Sequence, residues 1–141
     1  KGITINALPI IDDSTPQVLG YAMDRLFAAG ALDVTIQPLL MKKNRPGSLL
    51  SVIARPEDQE TLAKIILEET TTLGLRMFPA ERRVQARSVV TVETPWGKVR
   101  MKVTAQGASP EYDDCRALAA AAGVPLKKVL AEAQFAYLKE F

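Results

Sequence analysis

Apolar positions along this chain recur at strand-like spacing, then at helix-like spacing, and the alternation repeats. Residues 3–8 form a short apolar strand candidate. The run Asp12-Asp13-Ser14-Thr15-Pro16-Gln17 then carries the marks of a helix start: a hydroxyl cap, proline in the first turn and a capping-box glutamine. Val18, Leu19, Ala22, Met23, Leu26 and Phe27 follow at intervals of three and four, which buries one face of a helix, and Gly30 supplies its stop. Residues 32–40 and 48–54 predict two strands around an exposed turn at residues 42–47. Pro56 and Glu57 open a second helix with Leu62, Ile65, Ile66 and Leu67 inward. It is expected to run to about Thr72, before Leu73-Gly74 stops it.

Residues 76–84 supply a fourth strand and complete a β-α-β-β-α-β order. That order predicts an α+β fold, a ferredoxin-like split βαβ sheet with both helices on one face. Residues 87–93 and 98–105 alternate on either side of Pro95-Trp96-Gly97, predicting an added β-hairpin that either extends the sheet or starts a second unit. Residues 106–110 are expected to be a linker. Residues 111–122 and 126–139 predict a C-terminal helical pair joined by Gly123-Val124-Pro125. The expected organisation is residues 1–86 as the ferredoxin-like unit and residues 87–141 as the hairpin and helical pair.

Composition narrows the chemistry. With 48% hydrophobic and 24% charged residues, and no apolar run near the roughly 20 residues that span a bilayer, a soluble globular protein with no membrane partner is expected. The single Cys115 cannot form an internal disulfide and falls within a helical pattern, so a buried or half-buried thiol in a reducing cytoplasm is expected. The start at Lys1 suggests a processed or excised piece. With no histidine, the chain lacks the commonest transition-metal ligand and general base, which argues against zinc hydrolases and Ser-His-Asp or Cys-His enzymes. Any metal here is expected on oxygen, which suits magnesium or manganese with a nucleotide. The net charge is only +2, yet residues 73–110 hold seven basic side chains (Arg76, Arg82, Arg83, Arg87, Lys98, Arg100, Lys102) against Glu81 and Glu93, so that stretch suits an anion.

Each candidate motif has a structural reading beside the functional one. Lys42, Lys43 and Arg45 beside Pro46 and Gly47 have the donors to close on a triphosphate, and equally they suit a solvated hairpin tip kept polar against aggregation. Thr70, Thr71 and Thr72 are poor helix residues; their hydroxyls, with Gly74 and Arg76, either bond phosphate or ribose or merely end the helix. Asp12 and Asp13 either complement a helix dipole or hold a divalent ion bridging to phosphates. Pro110-Glu111-Tyr112-Asp113-Asp114 is a second acidic helix start, explained by the same dipole. The tail has a helix-turn-helix layout, but its second helix presents Leu130, Ala131, Glu132 and Ala133 where base-reading side chains belong. Five acids against four bases give it no phosphate-attracting field, so no nucleic-acid partner is expected.

Taken in order, Ile11-Asp12-Asp13-Ser14-Thr15-Pro16, Gly30-Ala31-Leu32-Asp33-Val34, Met41-Lys42-Lys43-Asn44-Arg45-Pro46-Gly47, Glu69-Thr70-Thr71-Thr72-Leu73-Gly74-Leu75-Arg76 and Pro110-Glu111-Tyr112-Asp113-Asp114 resemble the LarC family across nearly the whole chain. The resemblance implies an enzyme, a nickel insertase (cyclometallase). It would insert nickel into a pyridinium-3,5-bisthiocarboxylic acid mononucleotide, the pincer-cofactor precursor, with hydrolysis of CTP to CMP and pyrophosphate. It also implies that this chain is the C-terminal part, binding CTP with Mg2+ or Mn2+. Nickel would be bound mainly by an N-terminal region, fused or separately encoded, and the assembly would be a homo-oligomer.

Carried over to this sequence, Asp12 and Asp13 would bind the divalent ion, and Lys42, Lys43 and Arg45 would neutralise the triphosphate. Thr70, Thr71, Thr72 and Arg76 would complete the pocket, with Arg82, Arg87 and Lys102 as further cations and Glu111 as an outlying candidate. The sequence departs from the family where Leu8, Pro9 and Ile10 replace Glu-Thr-Asn and where Gln17 stands for a glutamate, which removes carboxylate and amide groups near the metal site. The alternative is a non-catalytic oligomerisation or anion-sensing module of ferredoxin-like form.

Overall fold

The structure, a computed structural model, describes residues 13–141 in full and the backbone of residues 2–10. Two compact units divide the chain, Lys1–Arg82 and Arg83–Phe141. Among the described residues no helix is long and apolar enough to cross a membrane.

The first unit is built from β1 (Gly2–Ile10), α1 (Pro16–Ala28), β2 (Asp33–Met41), β3 (Arg45–Ala54), α2 (Gln59–Glu69) and β4 (Leu75–Ala80). Its sheet has the order β2-β3-β1-β4 with every neighbour antiparallel, the ferredoxin-like arrangement the element order predicts. Leu19 and Leu26 of α1, Leu62, Ile65 and Ile66 of α2, and Val34, Leu50, Val52 and Ala54 of the sheet form one buried cluster, so both helices lie on the same face. Burying a side chain such as Leu26, Leu50, Leu62 or Ile66 completely contributes roughly 2 kcal/mol before chain entropy is counted.

Several boundaries differ from the sequence expectations, each for a local reason. Thr15, not Ser14, is the cap of α1: its hydroxyl accepts from the Val18 amide at 3.3 Å, which moves Gln17 out of the capping-box position. The turn between β2 and β3 contains only Lys42–Asn44, while Arg45, Pro46 and Gly47 pair with Met41, Leu40 and Leu39. Lys43 and Asn44 close it by adopting φ of 61° and 57°. Pro46 is tolerated because β1 pairing ends at Ser48, so no ladder partner on that side needs its missing amide. A single turn of tight helix, Pro56–Asp58, precedes α2. Helix α2 stops at Glu69 instead of Thr72, because the Thr70 hydroxyl bonds back to the Ile66 carbonyl at 2.7 Å.

The second unit holds β5 (Ser88–Thr94), β6 (Gly97–Thr104), β7 (Gly107–Pro110), α3 (Tyr112–Ala122) and α4 (Leu126–Glu140). Its three strands form a sheet of their own in the order β5-β6-β7. The expected linker at residues 106–110 is therefore a strand, registered from Thr104↔Gly107 to Met101↔Pro110. Two turns of one design make this meander. Thr94 donates its hydroxyl to the Gly97 carbonyl at 2.7 Å and accepts from the Trp96 amide; Thr104 does the same with Gly107 at 3.3 Å and Gln106. Gly97 and Gly107 have φ of 140° and 143°, which a side chain would strain. Val92, Val99, Met101, Cys115, Val129 and Ala133 form the core between sheet and helices, and Gly123 ends α3 in the left-handed conformation. Cys115 is buried, and burial pushes its thiol up, which keeps it unreactive at neutral pH.

Candidate functional site

The βαββαβ topology sends the start of α1, the β2–β3 tip and the α2–β4 turn to one end of the first unit's sheet. At that end three oxygen-bearing side chains meet. Thr71 donates its hydroxyl to Asp13 Oδ1 at 3.1 Å, and Ser14 Oγ lies 3.2 Å from Thr71 Oγ1. Residues far apart in sequence are thus joined where α1 begins and α2 has just ended. Asp12 lies outside the described residues.

The three threonines divide their work. Thr70 caps the Ile66 carbonyl, and Thr72 is buried with its hydroxyl on the Gly74 carbonyl at 3.0 Å. The Thr72 amide also reaches Thr70 Oγ1 at 3.4 Å. Thr71 alone is exposed and turned to Asp13 and Ser14. Sequence patterning had treated Ser14 only as part of a cap; its freedom to join the cluster follows from Thr15 taking the capping position.

The cations fall in different places. Lys42, Lys43 and Arg45 are exposed at the β2–β3 tip, and among the described residues none of them forms an ion pair. The tip lies three residues beyond Ser48, roughly 10 Å past the last β1–β3 pairing. Arg76, the second residue of β4, is registered opposite Asn6 and alternates with Leu75, which packs on the helix side, so it faces away from the helices. Arg82, Arg83 and Arg87 are exposed, Arg87 beside Ser88 and Thr104 at a shallow hollow of about 330 Å³ in the second unit. Lys102 is committed to Glu111 of the same unit at 2.6 Å.

Sequence patterning also missed the strap behind the cluster. Arg25 of α1 donates to Glu69, the last residue of α2, and lies 3.8 Å from Glu68, which Lys64 also approaches. The hydrogen bond to Glu69 raises the Arg25 guanidinium, which stays charged throughout.

Helix ends divide the charge at this end of the unit. The amides opening α1 favour an anion, whereas the carbonyls ending α2, with Glu68 and Glu69, favour a cation. A carboxylate and two hydroxyls offer only hard oxygen donors, so the Asp13–Ser14–Thr71 cluster suits magnesium or manganese better than a soft metal. It is not a self-sufficient metal centre: no group of three or more His, Cys, Asp or Glu stands ready for an ion among the described residues.

The family model described as nickel insertion protein matches residues 6–130. The chain belongs to that family. A pyridinium-3,5-bisthiocarboxylic acid mononucleotide nickel insertion protein of Acetivibrio thermocellus is 50% identical over 123 residues, covering 84% of this chain and 30% of the relative. This nickel insertion family member spans about a third of the length of the curated relatives it matches. Its fold is similar to the apo form of LarC2, the C-terminal domain of a cyclometallase involved in the synthesis of the NPN cofactor of lactate racemase. That likeness has a TM-score of 0.88 and 39% identity over 96% of both chains. A protein from Methanopyrus kandleri follows with a TM-score of 0.68 and 25% identity, covering 98% of this chain and 87% of that one.

Proposed function

We propose that this chain is the CTP- and divalent-metal-binding C-terminal part of a nickel insertase. The enzyme would insert nickel, its cargo, into pyridinium-3,5-bisthiocarboxylic acid mononucleotide, with water cleaving CTP to CMP and pyrophosphate. The carrying observation is the meeting of Asp13, Ser14 and Thr71 at the end of the sheet toward which Lys42, Lys43 and Arg45, without an ion pair among the described residues, also project. Family membership and the likeness to the cyclometallase domain support the same reading.

In this reading Asp13, with Asp12 and the Thr71 and Ser14 hydroxyls, holds the divalent ion on the side of the α2 carbonyls. Lys42, Lys43 and Arg45 neutralise the phosphates on the side of the α1 amides. The ion supplies charge neutralisation to the triphosphate. Thr70 and Thr72 shape the turn. Arg76, Arg87 and Lys102 are secondary cations whose part depends on how the full assembly comes together, a homo-oligomer in the cytoplasm with the nickel-bearing N-terminal region.

Titration calorimetry with CTP, ATP, GTP and UTP, each with Mg2+ or Mn2+ and again with chelator, tests this. Metal-dependent, CTP-selective binding that Lys43→Ala and Asp13→Ala weaken tenfold or more is expected. Unchanged affinity in both variants sinks the site. Absence of any nucleotide binding favours the anion-sensing or oligomerisation module, which the half-exposed Ile53 and Phe78 of the first unit's sheet would also suit.

A further inference from the structure

Sheet edges in this chain are guarded unevenly. The first unit's sheet ends in β2 and β4, which carry Pro38 and Pro79, and β7 at one edge of the second unit's sheet carries Pro110. Proline in an edge strand removes an amide with which another chain would pair. The other edge of the second sheet, β5, reads Ser88-Val89-Val90-Thr91-Val92-Glu93-Thr94, with no proline, lysine or arginine, and is rich in the β-branched residues that favour strand pairing. The pairing phase fixes which backbone groups this edge offers. The Arg100 amide and carbonyl both point away from β5, to the Asp114 carboxylate and the Glu111 amide. Arg100 is registered with Thr91, so Thr91 in turn points its amide and carbonyl away from β6, and Val89 and Glu93 follow at the period of two. Among the described residues no strand or loop pairs with these outward groups.

We propose that β5 pairs with β5 of a second copy of the chain, antiparallel about a two-fold axis at Thr91, joining two three-stranded sheets into one of six strands. The strand is self-complementary in that register. Thr91 meets Thr91, Val89 meets Glu93 and Val90 meets Val92 across the axis, so no like charges face each other. The three outward-pointing residues are the ones this register hydrogen-bonds. On the helix side Val92 is buried and Val90 half-buried, so the new Val90–Val92 pairs extend an existing core. An axis at Glu93 would instead set two carboxylates opposite each other. This self-complementarity favours a second copy over an unrelated strand. Helix α4, which packs on β5, leaves Phe135 and Leu138 exposed, apolar surface for a second copy alongside to cover. The pairing names an interface for the homo-oligomer of the reading above and needs no nucleotide.

The test measures molar mass by light scattering over a concentration series, together with hydrogen exchange at the β5 amides. In the wild-type chain the mass is expected to be an even multiple of the protomer, with the amides of Val89, Thr91 and Glu93 protected. Thr91→Pro, tolerated at an edge because that amide points outward, is expected to halve the mass with the second unit still folded. Thr91→Glu and Thr91→Lys each set like charges opposite each other at the axis and are expected to halve it as well, whereas an equimolar mixture of the two regains the wild-type mass. A monomeric wild type overturns the inference, as does an unchanged mass in Thr91→Pro, unprotected exchange at the three amides, or a mixture that does not regain the mass. Should Thr91→Pro unfold the second unit, the mixture decides. A chain that pairs through β5 without binding CTP fails the nucleotide reading and not this one.

Discussion

The carboxylate of Asp114 stands where strand β7 would have gone on pairing with Arg100. Pairing of β6 with β7 ends at Met101↔Pro110, and the Glu111 amide makes one last bond to the Arg100 carbonyl at 2.8 Å. The chain then turns into α3, and Asp114 Oδ2 accepts from the Arg100 amide at 2.9 Å. The guanidinium closes on the same carboxylate through Nε at 2.9 Å and Nη2 at 2.8 Å. The acidic start of α3 thus continues the sheet as well as complementing the helix dipole, and Glu111 with Lys102 repeats the strand-to-helix pairing.

This contact gives the second unit an acid-sensitive latch. The Arg100 side chain first, and then its amide, hold Asp114 down at about 2 from an ordinary 3.8. A carboxylate depressed in the folded state contributes its full stability above the unfolded value, and loses it as pH falls from 3.8 toward 2. Allowing for solvent screening, the contribution is about 1 kcal/mol. Asp114→Asn should lower the denaturant midpoint of the second unit at pH 7, and the gap to wild type should close as the pH approaches 2. A gap independent of pH would sink the assignment.

Lys43 separates stability from binding. Its φ of 61° places a non-glycine residue in the left-handed region, a strain of roughly 1 kcal/mol. Lys43→Gly removes that strain while giving back part of the gain to the flexibility of the unfolded chain. Thermal unfolding is expected to stay within about 0.5 kcal/mol of wild type. CTP affinity should fall at least tenfold, comparably to Lys43→Ala.

The two glycine turns of the second unit share a backbone conformation and differ in surroundings. A Cβ at Gly97 would lie 2.9 Å from Leu118 Cδ2, whereas one at Gly107 would meet nothing within 4 Å. Gly107→Ala should cost about 1 kcal/mol from strained φ alone, and Gly97→Ala more, because Leu118 must also move. Equal losses in urea unfolding would show that Leu118 adjusts freely.

Thr71 and Thr72 are adjacent and should respond oppositely. Thr72→Val removes a hydroxyl bonded to the Gly74 carbonyl inside a buried turn, and about 1 kcal/mol of stability is expected to go with it. Thr71→Val should leave unfolding within about 0.5 kcal/mol of wild type, since Thr71 is exposed. It should instead weaken Mn2+ binding in the presence of CTP, measured by electron paramagnetic resonance of free Mn2+.

What the sequence by itself determined was local. Apolar spacing located both helices of the first unit, because a 3.6-residue period is written in Leu19, Ala22 and Leu26 and again in Leu62, Ile65 and Ile66. Element order then left few topologies, and the ferredoxin-like sheet is the one observed. Polar composition was less informative: residues 106–110 look like a linker, yet the Thr-x-x-Gly spacing shared by Thr94–Gly97 and Thr104–Gly107 was the legible signal of a second hairpin turn. Tertiary structure decided which of the candidate groups meet. Thr70, Thr71 and Thr72 are the same residue type in a row, and only the geometry of the α2 exit buries one, caps with another and turns the third to Asp13. Likewise Lys102 is indistinguishable in sequence from Lys42, but the start of α3 brings Glu111 to it, while among the described residues Lys42 at the β2–β3 tip makes no ion pair. Side-chain roles of this kind depend on distances between segments far apart in the chain, and hydrophobic patterning carries no information about them.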